Sequence, residues 1–226
     1  MKIFISRDLD PTSKFQNAFK ELGGVDIHGE SLLQFTIMDQ PSLPYSDWIF
    51  FYSKTAIRFF FQWVENQKIP VESHLKFGCF GPATAAYLHS YNRSPHFVGS
   101  GMPADNGRWF AQNIVRGHIL FVTATHSLHS LKDHVNFNCT QEEFPIYSNR
   151  PKDQIDLPEY DAVCFTSPMN VSAYYSQYPH RRHKAIFAIG SSTKRALEAV
   201  QPGDVIIPAE PSESELAKVI IGHLGL

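Results

Sequence analysis

The sequence predicts an α/β protein of two similar flavodoxin-like parallel-sheet domains, one of them discontinuous, joined by a two-stranded linker with a cleft between them. Three observations predict it. Short apolar runs alternate with amphipathic helical stretches along the chain. A set of runs in the first half recurs, in the same order, in the second. The piece that the second copy lacks is found at the N-terminus.

The repeat is read run by run. Asp47-Trp-Ile-Phe-Phe-Tyr-Ser53 resembles Asp161-Ala-Val-Cys-Phe-Thr-Ser167, and an amphipathic helical stretch follows each. Phe77-Gly-Cys-Phe-Gly-Pro-Ala-Thr84 resembles Phe187-Ala-Ile-Gly-Ser-Ser-Thr193, with Gly81, Thr84 and Leu88 matching Gly190, Thr193 and Leu197. His96-Phe-Val leads to Pro103-Ala104 as Val205-Ile-Ile leads to Pro208-Ala209, and further helices are expected over 107–115 and 212–224. The strand-like runs are apolar on both faces, as a sheet covered on both sides requires. Strand–helix alternation then implies parallel strands with right-handed crossovers.

The first copy continues with a strand over Ile119–Thr123, a helix over 127–135 and an extended segment from Cys139 to Tyr147. The second copy has no such continuation. Its counterpart is a strand over Lys2–Ser6, a helix over Thr12–Leu22 and an extended segment from Val25 to Phe35, with Phe4 in the place of Phe121. One domain therefore joins 1–35 to 147–226, and the other is the insert 36–146. The chain crosses between them near 35 and near 147, which makes a paired linker.

Composition narrows the function. Hydrophobic residues make up 43% and charged residues 19%, which fits a globular chain and argues against disorder. With 20 Lys+Arg against 22 Asp+Glu the formal charge is −2, so a nucleic-acid or anionic-membrane binder is not expected. The apolar stretch after Met1 is too short for a signal peptide, and the richest apolar window, Trp48 to Val64, carries Lys54 and Arg58. Cys79, Cys139 and Cys164 form no CxxC pair and read as reduced core residues of a cytoplasmic protein. The 11 histidines show no metal-ligand spacing; His126, His129 and His134 are a weak cluster on an expected helix face, and His180 to His183 reads as an exposed loop. No metal framework is expected.

Chemistry is expected beyond the carboxyl ends of the parallel strands, where open α/β sheets bind ligands. Ser53 and Ser167 each end a strand there. Gly81 and Gly190 end another, with Thr84 and with Ser192 and Thr193 in the helical turns that follow. Helix N-termini present unpaired N–H groups and partial positive charge, and so can hold carboxylates or phosphates without a lysine. The same Ser and Thr residues also serve as helix caps. Arg7 closes the first strand and can pair with an anion; Lys54 is similarly placed. Tyr147 lies at the second crossing. No Walker, GxGxxG or GxSxG motif is present.

These runs carry a family resemblance. Asp47-Trp-Ile-Phe-Phe-Tyr-Ser-Lys-Thr-Ala-Ile-Arg-Phe-Phe60 resembles the DWLIFTSxNAVxxF segment of uroporphyrinogen-III synthases. Gly81-Pro-Ala-Thr-Ala85 and Ile189-Gly-Ser-Ser-Thr193 are similar to that family's VGxxTA and IGPTT elements, Phe165-Thr-Ser-Pro168 to its FTSP, and Glu210-Pro-Ser-Glu-Ser-Glu-Leu216 to its closing helix. The resemblance runs through essentially the whole chain in order. Ser191 departs from it, standing where the family often has Pro, and Thr123-Ala-Thr-His126 replaces a stretch that often carries Arg.

The resemblance implies two α/β domains on a two-stranded linker with the active site in the cleft between them. It implies cyclisation of linear hydroxymethylbilane to uroporphyrinogen III, with inversion of ring D and loss of water. No cofactor or metal is implied. Tyr147 matches the family's linker tyrosine, a candidate for assisting loss of the substrate hydroxyl. Ser53, Thr84, Ser167, Ser192 and Thr193 match polar positions lining the cleft, with Gly81 and Arg7 beside them. A monomer is expected, with hand-over of substrate from hydroxymethylbilane synthase. The alternative is a non-catalytic two-lobed small-anion-binding or regulatory protein of the same fold.

Overall fold

The computed structural model describes residues 1–9, 11, 13–114, 116–125, 138–201 and 203–226. His126, His129, His134 and the helix expected over 127–135 lie outside the described residues. In chain order the elements are β1 (Lys2–Ile5), α1 (Lys14–Phe19), β2 (Asp26–Gly29), β3 (Leu33–Ile37), β4 (Trp48–Phe51), α2 (Lys54–Gln67) and β5 (Lys76–Cys79). Then come α3 (Pro82–Leu88), a 3₁₀ turn (His89–Tyr91), β6 (Phe97–Val98), α4 (Pro103–Asn113), β7 (Gly117–Ala124) and β8 (Cys139–Pro151). The chain closes with β9 (Ala162–Phe165), α5 (Pro168–Gln177), β10 (Ala185–Ala188), α6 (Ser191–Glu198), β11 (Val205–Ile206) and α7 (Glu213–Leu224).

The chain divides into two units, Met1–Gln34 with Arg150–Leu226, and Phe35–Asn149. In the discontinuous unit the sheet order is β11-β10-β9-β1-β2, and every pair is parallel. In the continuous unit the order is β3-β8-β7-β4-β5-β6, parallel from β8 to β6. Counted from β1, the first sheet is the flavodoxin order 2-1-3-4-5. The second has the same neighbours, but the chain enters at the third strand and reaches the first and second last. That permutation is the repeat with its missing piece at the N-terminus. The edge pair β3/β8 runs antiparallel: Lys152 N donates to Leu32 O (2.9 Å) and Met38 N to Ile146 O (2.8 Å), so one strand's numbering rises as the other's falls.

Alternation of side chains across the strands builds each core. In the continuous unit, Ile49, Phe51, Leu120 and Val122 pack with Ile57, Phe60 and Trp63 of α2 and Leu88 of α3. Phe50, Ile119 and Phe121 face the other way, onto Phe110 and Ile114 beside α4. Gly78 in β5 makes room for this face, because a Cβ there would fall 2.7 Å from the Phe50 ring. In the discontinuous unit, Ile3, Ile5, Cys164 and Phe187 pack with Phe15 and Phe19 of α1 and Leu216 and Ile220 of α7. Phe165 meets Tyr174 and Tyr175 of α5 on the opposite face.

Several expectations change in detail. Phe4 pairs with Val163, and the repeat equivalent of Val163 is Ile49, which pairs with Leu120. The counterpart of Phe4 is therefore Leu120; Phe121 sits one residue on and faces the other layer. The extended segment 25–35 is two strands in two different sheets. Helix α4 begins at Pro103, four residues early, since proline is tolerated in a first helical turn where no N–H partner is needed. The segment 180–183 is more than an exposed loop: Arg181 donates to Leu157 O (2.9 Å), and His183 Nε2 meets the Tyr174 hydroxyl (2.8 Å). The three cysteines are free and buried, and burial pushes the Cys79 thiol up to about 12, which makes it inert.

One carboxylate ties α7 to the start of α1. Glu213 Oε2 accepts from Ser13 Oγ (3.0 Å) and Phe15 N (3.3 Å), and its Oε1 pairs with Arg7 (2.7 Å). Ser13 in turn caps α1 by accepting from Gln16 N (3.3 Å). Glu213→Ala leaves these donors short of an acceptor. The Arg7 pair is partly solvent-screened, so most of the loss comes from the two helix-end donors, about 1–2 kcal/mol in all. Urea unfolding followed by circular dichroism should show an earlier transition; an unchanged midpoint would mean that water replaces the carboxylate at no cost.

Candidate functional site

In a sheet of this order the ligand crevice lies beyond the carboxyl ends of the two strands where the winding reverses. In the continuous unit those strands are β7 and β4. Strand β4 ends at Phe51, and Ser53 takes an extended backbone (φ −155°) as N-cap of α2, its Oγ accepting from Ala56 N (3.1 Å). Capping uses a lone pair on the oxygen, so the Ser53 O–H remains a donor for something else.

Tyr147 lies near enough for that hydroxyl to favour the charged phenolate. In β8 a bulge interrupts the parallel ladder: Thr123 pairs with Pro145, but Ala124 pairs with Tyr147, leaving Ile146 as the extra residue. Strict alternation would put Ile146 and Tyr147 on opposite faces. The bulge lets Phe144, Ile146 and Tyr147 all join the cluster beneath α2. The Tyr147 ring stacks on Phe59 (centroids 5.1 Å apart, planes 16° apart) and is flanked by Phe35 (6.2 Å). Only 8% of Tyr147 is exposed. Burial pushes the phenol above its ordinary value of 10, opposed by the interaction with the Ser53 hydroxyl and by the positive charge of Arg58. Tyr147 is thus a neutral donor at physiological pH.

The remaining residues of this edge divide. Gly81 caps α3 with its backbone alone, and Gly101 packs so close that a Cβ at Gly81 would lie 3.3 Å from its Cα. Thr84 is buried in α3 rather than open to solvent. Thr123, near the end of β7, is 3% exposed with a hydroxyl that has no hydrogen-bond partner among the described residues.

In the discontinuous unit the equivalent strands are β1 and β9. Their ends are laced together: Thr166 N donates to Ser6 Oγ (2.9 Å) and Thr166 Oγ1 to Ser6 O (2.9 Å). Ser167 caps α5 by accepting from Asn170 N (3.2 Å) and Nδ2 (2.9 Å). Asn170 Oδ1 meanwhile accepts from Leu32 N (2.9 Å), so the Ser167 cap is tied to the chain entering β3. Gly190 precedes α6 with no side-chain cap, which leaves the N–H groups of its first turn without an intrahelical acceptor. Ser192 is exposed on that turn, whereas Thr193 is 1% exposed and faces the interior. Arg7 is engaged by Glu213 (2.7 Å), so a ligand anion has to share it.

Of the residues singled out from sequence, the structure brings Ser53 and Tyr147 into one cluster. It sets Ser167, Ser192 and the Arg7–Glu213 pair along the carboxyl edge of the other unit, and turns Thr84 and Thr193 inward. Sequence reasoning passed over Arg58, Ser6, Thr166 and Thr123 as site residues. Arg58 had a signal: it lies five positions after the capping Ser53, among apolar residues that all face the core. Among the described residues no group of three or more His, Cys, Asp and Glu side chains could hold a metal, and no helix is long and apolar enough to cross a membrane.

Two flavodoxin-like α/β units thus carry hydroxyls and helix N-termini at the carboxyl edges of their sheets, and one of them also carries a buried neutral tyrosine. A family model described as uroporphyrinogen-III synthase HemD matches residues 26–218, and the chain belongs to that family. Among solved structures, the uroporphyrinogen-III synthetase of Helicobacter pylori is similar at 16% identity and a TM-score of 0.64, covering 98% of this chain and 99% of that one. A mutant uroporphyrinogen III synthase of Thermus thermophilus matches at 15% identity and a TM-score of 0.57, covering 100% of both chains. At such identities these two likenesses concern the fold. No curated protein matches the sequence. None of these findings favours a non-catalytic reading.

Proposed function

We propose that the protein is a cyclising hydro-lyase that closes hydroxymethylbilane to uroporphyrinogen III with inversion of ring D. The observation that carries the reading is the family match over residues 26–218, together with a buried, protonated Tyr147 beside the capping Ser53. The substrate carries eight carboxylates and a hydroxymethyl group on a pyrrole α-carbon. Breaking the carbon–oxygen bond releases the hydroxyl, which leaves as water once protonated, and leaves an electron-poor azafulvenium ion that the terminal pyrrole, an electron-rich ring, can attack. Attack by the free α-carbon of the terminal ring gives the uninverted isomer. Attack by its substituted α-carbon gives a spiro intermediate that fragments and recloses inverted.

Uncatalysed closure is easy, so the enzyme's work is to choose the path. It does so by holding a folded conformer with the substituted carbon near the electrophile, and by binding the spiro-like transition state best. Tyr147 donates its proton toward the departing hydroxyl. Ser53 keeps the phenol oriented. Arg7, Ser53, Gly81, Thr84, Ser167, Ser192 and Thr193 are proposed to contact substrate through hydroxyls and helix-end N–H groups, Thr84 and Thr193 through their backbone because their side chains face inward. With a formal charge of −2, the chain holds an octa-anion through such local donors rather than through its overall field. The reaction needs no metal or organic cofactor. We further propose a cytoplasmic monomer that receives its substrate from hydroxymethylbilane synthase.

The test is to supply freshly generated hydroxymethylbilane, oxidise the products and resolve isomers I and III by chromatography. Isomer III in excess is expected. Isomer I alone, at the rate seen without protein, would overturn the reading.

A further inference from the structure

An exposed cation, Arg58, flanks the cluster that holds Tyr147. Arg58 stands on α2, one and a half turns in from the Ser53 cap, with its guanidinium 4.7 Å from the centre of the Phe59 ring. The same ring stacks on Tyr147. The α2 residues Ala56, Ile57, Phe59, Phe60, Trp63 and Val64 are buried, while Arg58 is exposed. Its charge reaches the hydroxyls of both Tyr147 and Tyr91. Several other cations are committed: Arg7 to Glu213, Arg108 to Asp105, Arg150 to Asp153 and Lys152 to Glu30. Among the described residues Arg58 has no carboxylate within ion-pair distance. The contact with Phe59 holds the guanidinium over a ring that itself stacks on Tyr147, and among the described residues no acceptor takes its five donors.

We propose that Arg58 is a substrate-binding and specificity-determining residue that takes a carboxylate of the substrate by a bidentate contact, and so sets which reacting carbon lies under the Tyr147 hydroxyl. The inference rests on the synthase reading and adds one subsite to it. Arginine suits the task because two parallel N–H donors fix both the position and the orientation of a carboxylate, which a lysine does not. The contact is made to the substrate as it binds and persists through ring closure. It lowers KM, and it is needed to keep the folded conformer that leads to inversion.

The experiment is steady-state kinetics and product-isomer analysis of wild type, Arg58→Ala and Arg58→Lys at several salt concentrations, with far-ultraviolet circular dichroism and thermal unfolding to verify folding. Arg58→Ala is expected to raise KM about 10- to 100-fold, the size of a lost charge-assisted hydrogen-bonded pair. Its kcat should change little. The share of isomer I should rise because the held conformer is loosened. Arg58→Lys should recover part of the KM loss but less of the isomer selectivity. The wild-type KM should rise with salt more steeply than that of Arg58→Ala.

An Arg58→Ala protein that is folded, with KM, isomer ratio and salt dependence of wild type, would overturn the assignment while leaving the synthase reading intact. A wild-type protein that forms no isomer III would instead remove the synthase reading. If Arg58→Ala proves unstable, Arg58→Gln, which keeps the stem on Phe59 and removes the charge, makes the same comparison; equal KM there also counts against the proposal.

Discussion

Tyr147→Phe is expected to lower kcat about 100-fold while leaving KM within about threefold of wild type. The substitution keeps the ring on Phe59 and removes only the hydroxyl. That hydroxyl is a donor held in a mostly apolar cluster, where a hydrogen bond to developing charge is stronger than in water. The leaving hydroxyl gains negative charge only as the carbon–oxygen bond breaks, so the donor acts on the transition state and hardly on ground-state binding. Burial raises the phenol above its ordinary value of 10. In the proposed role the protonated form is the active one, and it is lost only as pH rises past that raised value. From about pH 6 to about pH 9 the wild-type kcat should therefore show no fall caused by Tyr147. Steady-state rates across that range check both statements. An unchanged kcat in Tyr147→Phe would remove the residue from the chemistry.

Trp63→Ala is expected to cost about 3–5 kcal/mol of the continuous unit's stability, the largest single effect in the core. Trp63 is 1% exposed and lies edge-on against Phe144 (5.1 Å) and near Phe60 (6.4 Å). It joins α2 to the strand that carries Tyr147. Its indole N–H is buried without an acceptor among the described residues, so Trp63→Phe sheds that donor along with some volume. That variant should cost well under half as much. The remaining tryptophans, Trp48 and Trp109, also lie in this unit, so intrinsic fluorescence in a denaturant titration reports on it selectively. The discontinuous unit, followed by circular dichroism, should keep most of its own transition because it has a separate core. Equal losses for Ala and Phe at position 63 would show that cavity volume is not what matters there.

The fold was legible because parallel strands covered on both faces must be apolar throughout. Ile49–Phe51 and Val163–Phe165 announce themselves without alternation, and the following Ser53 and Ser167 mark helix starts. Register was harder to see. The equivalence of Phe4 with Phe121 failed by one residue because aromatic identity is a weaker guide than ladder position, and a shift of one reverses the face. The split of 25–35 into β2 and β3 was hidden because both halves are extended; only their partners differ.

The site was legible to the extent that local backbone rules define it. A Ser at a strand end and a Gly before a helix are visible in one sequence. What Tyr147 touches depends on the bulge at Ile146 and on ring packing against Phe59, which are long-range consequences of folding. The engagement of Arg7 by Glu213 was equally invisible, since the partners lie at opposite ends of the chain. Nor did the sequence reveal that Thr84 and Thr193 turn inward. Helix phase sets their direction: Leu88 and Leu197, one turn on from Thr84 and Thr193, are buried with them.

The most direct measurement of the central claim is the ratio of isomer III to isomer I from a fixed amount of hydroxymethylbilane as protein concentration is raised. The ratio is expected to climb until isomer III dominates. With Tyr147→Phe the same endpoint should be reached only at much higher protein. A ratio that stays at the no-protein value at every concentration would contradict the account.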